Sequence, residues 1–206
     1  GGPPAQGDWF GRGRNCATMQ ARARRAPPAM SSISPPALLH WTEHAAARSA
    51  RWRSESGLAP PPRVLIADDR LSADEAYRVA SQGGALLWRG DFQNARQLLQ
   101  ALARRADRKP RKAATTPTEA FHQMRMAQAQ RARLLAMVLI EVGPDYGIDL
   151  RRAPDWRSAC AEAWGPADHA AQVCPMRDLL GLVGAHEWRK KGVEVTALGA
   201  RIHAHY

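Results

Sequence analysis

The sequence predicts a mainly α protein: an orthogonal multi-helix domain with at most short β segments, preceded by a disordered basic arm. Three observations lead there. Several stretches repeat apolar residues at helical spacing. Most of them are bounded by residues that start or stop helices. Residues 1–36 are rich in Gly, Pro, Arg and Ala and almost lack periodic apolar positions, a composition that buries too little to fold.

Taken in order, residues 38–53 (LLHWTEHAAARSARWR) predict a first helix with Leu38, Trp41, Ala45 and Trp52 toward one side. Gly57 and Pro60-Pro61-Pro62 end it in a stiff connector, so residues 37–62 read as a helix plus Pro-rich link before a domain spanning 63–206. Val64-Leu65-Ile66 is a brief strand or an extended lead-in. Ser72 and Glu75 have the spacing of a capping box, predicting a helix to Gln82 that Gly83-Gly84 stop.

The strongest pattern lies in residues 86–112, LLWRGDFQNARQLLQALARRADRKPRK. Asp91 suits an N-cap, because its carboxylate accepts from first-turn N–H groups at the positive helix end. Phe92, Ala95, Leu98, Leu99 and Leu102 then share one helical face, with Leu86, Leu87 and Trp88 packing back onto the same core. Arg104, Arg105 and Arg108 crowd the last turn, and Pro110 prevents continuation. Thr118 caps the next helix, with Phe121, Met124 or Met126, Ala129, Ala132 and Leu135 inward and Arg125, Arg131 and Arg133 outside. Residues 134–142 continue that helix or switch to a buried strand. Pro154 begins another helix carrying Trp156, Ala159, Cys160 and Ala163. The last helix covers residues 176–191, and Val193-Glu194-Val195 alternates like a short strand.

The formal charge of +11 suits an acidic partner. Residues 1–63 hold nine Lys+Arg against three Asp+Glu (+6), leaving 21 against 16 (+5) for residues 64–206. Residues 96–112 alone hold seven basic side chains and one acid, Asp107. Such a run is either a phosphate-gripping surface or a solvated helix end with its linker. Arg104, Arg105, Arg108, Lys109, Arg111 and Lys112 are the candidate nucleic-acid or substrate contacts. Three cysteines without a CxxC pair fit a reducing cytoplasm rather than a disulfide scaffold. The longest apolar run, residues 134–140, is too short to cross a bilayer, so no membrane partner is expected.

Catalytic and metal motifs do not assemble. His186-Glu187 opens like a zinc motif, but Lys190 stands where the second histidine belongs. His203 and His205 share one side of an extended segment without a third ligand nearby. Cys160 and Cys174 read as buried structural thiols, and no glycine-rich phosphate loop follows a strand. No catalytic, cofactor-binding or metal residue is therefore assigned.

Four blocks together resemble the N-terminal, pre-catalytic region of bacterial class I S-adenosylmethionine-dependent methyltransferases. They are residues 86–102 (LLWRGDFQNARQLLQAL), 126–135 (MAQAQRARLL), 150–165 (LRRAPDWRSACAEAWG) and 177–206 (RDLLGLVGAHEWRKKGVEVTALGARIHAHY). Ala204 departs from the proline that the pattern prefers between the two histidines. The resemblance implies a helical region that is not catalytic by itself and presents an RNA or protein substrate. It also implies a C-terminal Rossmann-like catalytic domain outside this chain, and S-adenosylmethionine as cofactor of the full-length protein. Two other readings of the residues stand beside it: a stand-alone basic helical nucleic-acid-binding module, and a helical dimerisation or docking unit.

Overall fold

Strands, not helices, organise the chain, and this overturns the mainly α expectation. The computed structural model describes residues 36–108 and 113–203. It has mixed α/β architecture: five helices and a nearly closed, six-stranded mixed sheet. The strands are β1 (Leu38–Glu43), β2 (Ala46–Trp52), β3 (Arg63–Ala67), β4 (Gly84–Trp88), β5 (Val138–Val142) and β6 (Gln172–Pro175). Their spatial order is β1-β2-β6-β5-β4-β3. The β3, β4 and β5 strands run parallel, β6 is antiparallel to β5, and the β1–β2 hairpin joins through the parallel β2–β6 pair.

Residues 38–53 form this hairpin rather than the expected helix. Leu39 and Trp41 are buried while their neighbours Leu38, His40 and Thr42 are exposed, the period of two that a half-buried strand shows. His44 and Ala45 both take positive φ, 50° and 62°, as a two-residue hairpin turn of the primed type requires. The alanines of β2 favour a helix locally; packing against β6 overrides that preference.

All five helices lie on one face of the sheet. They are α1 (Ala73–Ser81), α2 (Phe92–Arg108), α3 (Pro117–Leu135), α4 (Arg157–Trp164) and α5 (Met176–Lys191). Leu86, Trp88, Val138 and Ile140 meet Ala76 of α1, Phe92 and Leu102 of α2, Leu135 of α3, Cys160 of α4 and Leu179 of α5 in the larger core. The opposite face curls onto itself and encloses Leu39, Trp41, Ala50, Trp52, Ala85, Leu87, Leu139 and Val173. Every β4 residue is therefore buried, which explains why Leu86-Leu87-Trp88 shows no alternation.

Local signals held where they were strong. Ser72 and Glu75 make the full capping box of α1. The cap of α3 is Thr116, two residues before the expected Thr118, with Pro117 following it. After Leu135 the chain turns into β5. The α4 helix begins at Arg157, so Pro154 lies in the preceding turn. A second, two-stranded sheet, β7 (Val193–Val195) with β8 (Ala200–Ile202), follows α5. No described helix is long and apolar enough to cross a membrane.

One arginine ties the end of β1 to β4 and β5. Arg89, just past β4, donates from Nε and Nη2 to Glu43 at the end of β1, at 2.8 and 2.7 Å, and its Nη1 pairs with Glu141 of β5 at 2.7 Å. The Arg89 guanidinium, aided by the Trp41 indole, holds the Glu43 carboxyl down to about 2.

Candidate nucleic-acid interface

The stretch from α2 to α3, linker included, carries nearly half of the basic side chains of residues 64–206. Residues 96–133 carry ten Lys+Arg and two Asp+Glu (+8), so the remainder of residues 64–206, with 11 against 14, is −3. The modest balance of the body conceals a strong local asymmetry.

Arg105 pairs with Asp74 of α1 at 2.8 Å, which spends its charge within the fold. Arg104 and Arg108 are exposed and make no ion pair among the described residues. Arg108 borders a shallow depression with Asp74, Tyr77 and Arg105. Lys109, Arg111 and Lys112 lie outside the described residues. The sequence also offered Arg125, Arg131 and Arg133 as outward residues of α3, but not their association with α2. Asp107, next to the last residue of α2, pairs with Arg131 at 2.9 Å, near the C-terminal end of α3. That contact places Arg131 at the same surface as the α2 end. Arg125 and Arg133, like Arg104 and Arg108, have no ion-pair partner among the described residues.

Only Leu134 and Leu135 of α3 are buried; Arg177 fixes this end by donating to the Ala132 carbonyl at 3.1 Å. The earlier turns stand away from the core, leaving Phe121 and Met126 56% and 61% exposed where an inward-facing stripe was expected. A groove of about 700 Å³ opens between α3, the C-terminal ends of α1 and α2, and the segment before β3. Its lining combines Leu58, Tyr77, Ala80, Leu134 and Met137 with Ser81, Gln123, Gln130, Arg131 and Arg133.

The opposite end of the parallel strands, where α/β folds ordinarily bind ligands, is filled from within. Asp91 is fully buried at the head of α2 and accepts the Gln93 N–H at 2.8 Å. Its other oxygen takes the Nε groups of Arg151 and Arg152 at 2.9 and 2.6 Å. The Arg152 guanidinium foremost holds the Asp91 carboxyl down to about 2. The next N–H of α2, from Phe92, goes to the Arg151 carbonyl at 2.9 Å. Asp69 accepts the Asp91 N–H at 2.9 Å. A Cβ on Gly90 would lie 2.5 Å from Asp69 Oδ1, so only glycine allows this approach. The N–H groups of Asp91, Phe92 and Gln93, which at a helix N-terminus could receive a cofactor's charged groups, are already used. These residues do not fit S-adenosylmethionine.

Asp91 and Glu43 also set an acid limit. Their folded-state pKa values are depressed to about 2, against roughly 4 in an unfolded chain. The stability they contribute is complete above the unfolded value and is lost as pH falls toward 2. Urea unfolding at pH 4.5 and pH 2.5 should show a smaller midpoint loss for Glu43→Gln/Asp91→Asn than for the parent chain. Equal losses would assign acid sensitivity elsewhere.

The other candidate groups have structural partners. Cys160 and Cys174 are buried; burial pushes the Cys160 thiol up to about 11 and the Cys174 thiol further still. Such thiols are poor nucleophiles. The His203 ring Nδ1 hydrogen-bonds with the Arg189 carbonyl at 2.6 Å, and His205 lies outside the described residues. His186, buried, pairs with Glu162. Among the described residues no group of three or more His, Cys, Asp or Glu is arranged to hold a metal ion. No known protein family, curated protein or solved structure matches this chain.

Proposed function

We propose that this chain is a non-catalytic α/β unit that grips RNA through α2 and α3 and presents it to a class I S-adenosylmethionine-dependent methyltransferase domain. The observation carrying the RNA half is the set of four exposed arginines without ion-pair partners among the described residues, Arg104, Arg108, Arg125 and Arg133. Arg133 lines the groove, and Arg108 borders the depression that shares Tyr77 with it. Guanidinium groups bind phosphate with paired donors, and their release of counterions makes such binding salt-dependent. The internally filled head of α2 supports a role without chemistry of its own.

The methyltransferase half rests on the four sequence blocks. Reading the coding DNA past Tyr206 tests it: an in-frame strand and glycine-rich loop would support it, and an immediate stop codon would remove it.

For the RNA half, the full 206-residue chain would be titrated with a labelled single-stranded 20-mer between 50 and 300 mM salt. The variant Arg104→Glu/Arg108→Glu/Arg125→Glu/Arg133→Glu should bind at least about 100-fold more weakly at the lowest salt. Its log–log salt slope should be shallower by roughly 3, four phosphate contacts at about 0.7 each. An unchanged slope would refute the RNA grip.

A further inference from the structure

We infer that the groove under α3 receives an unpaired RNA base, which makes this unit selective for single strands over duplex. The inference rests on the α2–α3 surface gripping RNA and adds what the groove takes from it. Size selects the occupant first. A volume of about 700 Å³ lies in the range of pockets that enclose small-molecule-sized bodies, about 300–1,000 Å³. A nucleobase with its sugar is such a body; an amphipathic helix is not.

Chemistry selects it next. The half-buried Tyr77 ring and the flexible Met126 and Met137 side chains offer apolar surface to a flat ring. Around them stand uncharged groups that both donate and accept. Gln130 and Ser81 have no side-chain hydrogen bond among the described residues, and Gln123 commits only its Nε2, to Glu119 at 3.2 Å. Base edges present mixed donors and acceptors, so neutral amides and hydroxyls read them without the cost of burying a charge.

Charge then fixes the orientation. Arg131 and Arg133 line the groove; Arg131 is committed to Asp107, which it neutralises, and Arg133 has no ion-pair partner among the described residues. A base pointing inward leaves its phosphates at the arginine side. Duplex RNA keeps its bases stacked and paired and has nothing to insert.

The test uses the full chain, a single-stranded 12-mer and the corresponding 12-base-pair duplex. Tyr77→Ala removes the ring, and Ala127→Leu fills the groove from the half-buried face of α3 without changing charge. Both variants should lose roughly tenfold in single-strand affinity, the scale of one lost base stack, with salt slope and duplex affinity unchanged. Ala127→Leu lies outside the core, so it retains the readout if Tyr77→Ala melts early. Equal loss for both ligands, or no loss for either, would overturn the groove assignment. If the fourfold arginine variant still weakens both ligands while the groove variants affect neither, the groove inference fails and the RNA grip stands. Displacement of the 12-mer by a small excess of free nucleoside monophosphate would also overturn it, because the site would then be a nucleotide pocket.

Discussion

Replacing Trp88 with alanine should destabilise the fold by about 3–5 kcal/mol, the cost of removing a large aromatic side chain from a close-packed core. Trp88 is among the largest fully enclosed side chains, at the end of β4 where every residue is buried. Its indole Nε1 donates to the Asp91 carbonyl at 3.0 Å, joining strand to helix head. That carbonyl also accepts the Ala95 N–H at 3.0 Å, so losing the indole does not leave it bare. Packing therefore decides the magnitude. Trp88→Phe, which keeps most of the ring surface, should cost only about 1–2 kcal/mol. Urea midpoints of the two variants separate these terms; a loss below about 1 kcal/mol for Trp88→Ala would contradict the burial.

Asp91→Ala should lower Tm by roughly 5 °C, because one substitution removes a helix cap and the buried carboxylate on which the exposed Arg151 and Arg152 converge. Asp91→Asn should fall between this variant and the parent. Its amide oxygen still accepts the Gln93 N–H, but a neutral group faces Arg151 and Arg152. The order Ala, Asn, Asp in rising Tm is the diagnostic result. If Asn were as damaging as Ala, the ion pairs and not the cap would hold this end of α2. Trp88 and Asp91 touch, so their double variant should depart from additivity.

What the sequence revealed divides by range. The Ser72–Glu75 cap, the Asp91 start and the stripe from Phe92 to Leu102 are interactions within a turn or two, and they were legible. The hairpin was not. Residues such as Ala46, Ala47 and Ala50 suit a helix, and β2 is stabilised by Gln172 and Val173, far along the chain. The β6 strand, only four residues and ending in proline, carried too little pattern to be seen. At the interface, the density of arginine on α2 was visible, but which arginines remain available was not. Asp74 takes Arg105 and Asp107 takes Arg131 through contacts between helices. The groove had no local signature, because it exists only where α3 fails to close on α1 and α2.

The pairing of Trp52 with Val173 also imposes a schedule on synthesis. About 120 residues separate the partners, and at roughly 5–20 residues per second the ribosome needs some 6–24 s to deliver the second after the first. During that interval the β1–β2 hairpin has its own ladder but no neighbouring strand for β2, and Trp41 and Trp52 have only part of the wall that later encloses them. A two-stranded hairpin is marginal in water. The nascent chain therefore passes through a period in which two tryptophans and an open strand are available to chaperones, or to another nascent copy.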